Sequence, residues 1–139
     1  RLGGLLLKAP RMGWLLGFAV MASLGLPGLA GFWGEFPALL AAYSPAEGLS
    51  EPVFRTFMVI GAIGTIFAAA YLLWMYQRVA FGKSTEEFED EHIHDMHLTD
   101  YIAWAPFIVL IALLGVYPQL IFKITDGAVI QALAGLAGS

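Results

Sequence analysis

Residues 24 to 40 read LGLPGLAGFWGEFPALL, an apolar run that holds one carboxylic acid, Glu35, and glycines at 25, 28, 31 and 34. The run lies inside a longer one: between Met12 and Tyr43 the only ionised side chain is Glu35, over 32 residues. A straight helix crosses a bilayer with about 20 residues, so something in the middle has to absorb the excess. Pro27 supplies it. Proline cannot donate a backbone hydrogen bond and crowds the carbonyl four residues earlier, and glycine on either side removes the steric resistance to non-helical angles. The sequence therefore predicts a helix interrupted near Gly25–Gly31, with Gly25, Pro27, Gly28 and Gly31 as the break. Residues three apart are neighbours on a helix, and small ones let a second backbone come close, so the same glycines also fit a plain helix-packing face. The proline between them favours the break.

The rest of the composition agrees with a chain that lives in lipid. Hydrophobic residues make up 59% and charged residues 13% of the 139 positions, where a soluble domain carries about 25% charged residues. The length holds a few spanning helices and leaves no room for a separate soluble domain of ordinary size. Two further spans are legible, at about 56–76 and 101–122, and aromatic residues gather near their ends, as side chains anchored at the lipid–water boundary do. The expected architecture is all-α integral membrane: a lead-in at 1–11, a broken transmembrane helix at 12–43, an outer loop at 44–55, a helix at 56–76, an acidic cytoplasmic loop at 77–100, a helix at 101–122 and an outer tail at 123–139. Arg1, Lys8, Arg11, Arg78 and Lys83 fall on one side and only Arg55 and Lys123 on the other. The positive-inside bias puts the first side in the cytoplasm.

Several chemistries are excluded or weak. Cysteine is absent, which removes disulfides and thiolate-held iron–sulfur clusters. No basic cluster exists to neutralise nucleic-acid phosphates, and no Gly-rich loop follows a strand as a dinucleotide site requires. His92, His94 and His97 beside Asp95 could be read as a metal site, but their spacing fits no helical zinc motif, and a solvated loop or subunit contact explains them as well; no metal ligand is assigned. Tyr43 and Tyr71 fit boundary anchors better than a water path. Lys8 and Arg11 mark the cytoplasmic end of the first span. Thr65 is expected to bond back to its own helix. The chain starts at Arg1 rather than Met and reads as a piece of a longer protein whose missing helices complete its packing.

Glu35 carries the chemistry. It stands about two helical turns beyond Pro27. An ionised acid at a spanning helix's centre costs about 2.5–3.5 kcal/mol on insertion scales, and such acids face a bundle interior, a partner charge or an ion path. Removal from water favours the neutral form of a carboxyl group, and an acid whose charging is nearly balanced can take up and release a proton. The competing reading is a helix end near the interface, or a structural ion pair with a neighbouring chain.

The segment ASLGLPGLAGFWGEF, preceded by GGL and followed by AAYLLWMYQRVAFG and GVYP, resembles the C-terminal part of the M-type, antiporter-like chain of respiratory complex I, the proton-translocating NADH–quinone oxidoreductase. The motifs occur in that family's order and cover essentially the whole chain. The resemblance implies the last three of fourteen transmembrane helices, the twelfth interrupted, with Glu35 matching the acid that serves proton exit. Related antiporter-like chains commonly have lysine there. It further implies a multi-pass protein of the bacterial inner membrane, no redox centre in this chain, and NADH, FMN, iron–sulfur clusters and quinone in partner subunits. Its partners would be the other membrane-arm subunits, the chain's own missing N-terminal helices and lipid. The alternatives are a subunit of a multi-chain sodium/proton antiporter or membrane-bound hydrogenase of the same fold, or a membrane scaffold that transports nothing.

Overall fold

The computed structural model describes residues 3–83 and 94–137. Among the described residues all regular structure is helical: α1 Leu5–Lys8, α2 Pro10–Ser23, α3 Phe32–Tyr43, α4 Glu51–Ala80, α5 Leu98–Val116 and α6 Gln119–Ala137. Pro10 opens α2 in its first turn, where a residue with fixed φ and no N–H costs nothing. The helix closes as the N–H groups of Leu24 and Gly25 donate to the carbonyls of Val20 and Ala22. Eight residues then separate it from α3.

Two helices, Glu51–Ala80 and Leu98–Val116, are long and apolar enough to cross a membrane. At 1.5 Å per residue α4 extends about 45 Å and α5 about 28 Å, against a hydrocarbon core of about 30 Å. The span expected at 56–76 lies within α4, which begins five residues earlier and runs four further. The stretch expected as one helix over 101–122 is divided. Pro118 lacks an N–H and turns its predecessor away from helical angles; Tyr117 takes φ −126°, ψ 69°, and the chain bends there into α6. The stretch expected as an outer tail at 123–139 is thus largely the helix α6.

Side-chain packing is thin. Among the described residues the buried apolar ones are Ala9, Val20, Ala80 and Met96, while α4 and α5 expose large apolar residues on every side. A helix apolar all round needs lipid or other helices around it. The helices meet through small residues. A Cβ at Gly17 would stand 2.7 Å from the Tyr76 hydroxyl, which donates to the Gly13 carbonyl at 3.3 Å and ties α2 to α4. At the start of α2, beside that contact, the Asp95 carboxylate accepts the backbone N–H groups of Arg11 and Met12, both at 3.2 Å, and of Met96 at 2.8 Å. A carboxylate at a helix N-terminus meets unpaired N–H groups and the positive end of the helix dipole. Desolvation pushes the Asp95 carboxyl upward, but the hydrogen bonds from Met96, Arg11 and Met12 and the Arg11 charge outweigh it, holding the group below its ordinary value.

Candidate functional site

The site is built at the gap between α2 and α3. Gly25 has φ +63° and Gly28 φ +94°, left-handed angles that a side chain resists by about 1–2 kcal/mol. These two positions need glycine for their backbone. Gly31 needs it for a different reason: a Cβ there would lie 2.8 Å from the Ala22 carbonyl oxygen and 3.4 Å from Gly25 Cα, so the start of α3 sits directly against the end of α2. Pro27 is exposed at the outside of the bend. Leu29 and Phe32 continue the turn by donating to the carbonyls of Leu26 and Leu29.

Glu35 belongs to the first turn of α3. Its side chain folds back over the break, with Oε2 2.8 Å and Cδ 3.2 Å from where a Gly25 Cβ would be. Gly25, Gly31 and Glu35 are therefore brought together, and the carboxylate stands at the positive end of the α3 dipole, which favours a negative charge. No hydrogen bond or ion pair engages that carboxylate among the described residues, and Glu35 is exposed on this chain. It opens on a cavity of about 350 Å³ shared with Ser23, Leu24, Gly64, Thr65 and Ala68. The far wall is α4, whose small side chains leave the space. Thr65 donates back to the Gly61 carbonyl at 3.2 Å, as expected from its place in a helix, and its oxygen retains a capacity to accept. A volume of this size has room for several waters at about 30 Å³ each. The arrangement offers a titratable carboxyl group, two hydroxyls and a hydratable space beside an interrupted backbone. That is what a proton needs to enter or leave an apolar helix bundle.

Three residues that sequence reasoning did not single out, Trp33, Gly115 and Phe122, complete the surroundings. The Trp33 indole N–H donates to the Gly115 carbonyl at 2.7 Å, and the Trp33 ring meets Phe122 edge-on with centroids 6.1 Å apart. Both partners are more than eighty positions away, so no local pattern marks them. The remaining candidates are elsewhere. Gly34 faces open space on α3, the Arg55 guanidinium lies 5.3 Å over the Tyr43 ring, and Tyr71 is exposed on α4. Of the three histidines, His92 lies outside the described residues; the rings of His94 and His97 are 6.0 Å apart. No group of three potential metal ligands gathers among the described residues.

Helices apolar on all sides, two of them of spanning length, and a small-residue break beside one acid fit an integral membrane protein of the α-helical class. Within it the chain is homologous over most of its length to a part of NADH-quinone oxidoreductase subunit M. It is 38% identical to the subunit M of Rhodobacter capsulatus over 120 residues, 86% of this chain and 22% of that one. With the subunit M of Mycobacterium tuberculosis it shares 35% identity over 127 residues, 91% of this chain and 21% of that one. With NADH-ubiquinone oxidoreductase chain 4 of Marchantia polymorpha the identity is 32% over 121 residues, 87% and 23%. No family profile matches the chain. The chain spans about a fifth of the length of the curated relatives it matches.

Proposed function

We propose that this chain is the C-terminal part of a proton-translocating membrane-arm subunit of NADH–quinone oxidoreductase, and that Glu35 carries the proton at its interrupted helix. The observation that supports this reading most is the Glu35 carboxylate folded over Gly25 at the break and open to the cavity against α4. In this reading α2 and α3, at 14 and 12 residues too short to cross singly, act as one interrupted crossing, and α4 and α5 are the next two. Irregular backbone at membrane depth is tolerated where protein or a water-filled cavity covers it, and the cavity beside Glu35 supports this reading.

The redox chemistry lies in partner subunits that hold NADH, FMN, iron–sulfur clusters and quinone; this chain contributes the proton path. Its own residues have separable tasks. Glu35 holds and releases the proton at its carboxyl oxygens, the α3 dipole moderates the cost of the charged form, and Ser23 and Thr65 provide hydroxyls toward a hydrated path. The assembly sits in the bacterial inner membrane with the connection between α4 and α5 in the cytoplasm. The test is Glu35→Gln in the complete subunit within its assembled complex, which keeps the shape and removes the titrating oxygen. Proton translocation driven by NADH should fall at least tenfold per assembled complex; translocation at the original level would reject the role of Glu35.

A further inference from the structure

The bend between α5 and α6 closes on the helix break. Gly115 is in the last turn of α5, where carbonyls lack helical partners, and its oxygen accepts the Trp33 indole N–H at 2.7 Å. Past the bend at Tyr117 and Pro118, Phe122 meets the Trp33 ring from the other arm. The indole is thus held between both arms of the elbow. Backbone contact is closer still. A Cβ at Gly115 would collide with the carbonyl group of Gly28 and with Leu29 Cα, atoms of the break that cannot move aside as a flexible side chain could. Gly115 is the buried residue of α5.

Trp33 and Glu35 share the first turn of α3, and Gly28 and Leu29 lead into it. A grip on Trp33 from one side and on Gly28–Leu29 from the other therefore fixes the height and rotation at which that turn starts. The Glu35 carboxylate reaches Gly25 from this turn. We propose that the α5–α6 elbow is a clamp on the interrupted helix, with Gly115 and Trp33 as positioning residues that set where the Glu35 carboxylate stands. The inference rests on the reading of Glu35 as the proton carrier. Neither residue touches the carboxylate; each acts through the backbone of the break.

The test uses the complete complex in sealed vesicles, with rates normalised to assembled enzyme. Trp33→Phe keeps a ring for Phe122 and removes the N–H. It should lower NADH-driven proton translocation by roughly tenfold, the size expected when the carboxylate is displaced by about half an ångström, and shift the pH profile of translocation, because Glu35 moves to a different environment. Gly115→Ala pushes the break away from α5 and should lower translocation by roughly a hundredfold, as misplacements near 1 Å do. Should Gly115→Ala prevent assembly, Trp33→Phe decides alone. A Trp33→Phe complex with unchanged rate and unchanged pH profile overturns the clamp. So does one that assembles in lower amount yet turns over normally per complex, since that is a structural contact only. Glu35→Gln, measured alongside, separates the two layers. Normal pumping in that variant removes the underlying reading and the clamp with it, whereas defective pumping there with an unaltered Trp33→Phe removes the clamp alone.

Discussion

Alanine at Gly25 and alanine at Gly28 both impose strain on a left-handed backbone, but only the first meets Glu35, and the comparison isolates the carboxylate. Both glycines have left-handed φ, +63° and +94°, so each substitution costs about 1–2 kcal/mol of conformational strain. At Gly28 the new methyl meets nothing within 4 Å, and the cost ends there. At Gly25 it lands 2.8 Å from Glu35 Oε2 and 3.2 Å from Cδ. The carboxylate then has to retreat by roughly half an ångström to reach ordinary van der Waals distance. It is the far end of a flexible side chain, so the retreat adds little to the loss of stability. Its effect falls on function: positional errors near 1 Å cost about a hundredfold in rate, and half of that corresponds to roughly tenfold. The assay pairs the thermal inactivation temperature of the detergent-solubilised complex, which should fall in both variants and at least as far in Gly28→Ala, with NADH-driven proton uptake into vesicles per intact complex, which should decline only in Gly25→Ala. Equal proton uptake by the two variants refutes the argument that Gly25 matters because Glu35 lies over it.

Other consequences are independent of that comparison. The carboxyl group of Asp95 lies below its ordinary value in the folded chain, so the stability it confers is present above the ordinary carboxylate range and disappears as pH falls through the lowered folded value. Asp95→Asn should speed hydrogen exchange at the amides of Arg11 and Met12 at neutral pH, and unchanged exchange there would contradict the capping contact. Tyr76→Phe removes the hydroxyl that reaches the Gly13 carbonyl and should destabilise the α2–α4 contact by about 0.5–1.5 kcal/mol, measured as a lower inactivation temperature. Glu51→Ala breaks the exposed 2.9 Å pair with Arg55; such pairs contribute about 0.2–1 kcal/mol, so thermal inactivation should shift scarcely at all.

What could be read from the sequence was local. The conflict between Pro27 and a continuous helix, relieved by Gly25 and Gly28, is a statement about adjacent residues, and α2 and α3 are separated over that stretch. Thr65 bonding back to Gly61 follows from a spacing of four within one helix. The ends of elements were less legible. Nothing in composition stops α4 at residue 56 or 76, since Glu51 and Arg78 are tolerated at the termini of a helix that continues past the apolar core. The bend at Tyr117–Pro118 was signalled by proline yet masked by apolar residues on both sides. Contacts between distant positions were invisible. The hold of Trp33 on Gly115, the seat of Gly115 on the break and the carboxylate of Asp95 at the start of α2 each join positions more than eighty apart. They depend on how helices approach, which hydrophobic periodicity cannot report when helices are apolar on every face. The position of Glu35 in the first turn of a new helix, rather than midway along an old one, likewise needed the break to be located to the residue.

Infrared difference spectroscopy of the complete complex, comparing resting enzyme with enzyme turning over NADH and quinone, observes the protonated carboxyl group itself. A carboxylic C=O band that changes on turnover in the natural protein and disappears in Glu35→Gln is the expected result. An identical band change in both proteins would mean that the proton is carried by another acid, and that Glu35 only stands beside the path.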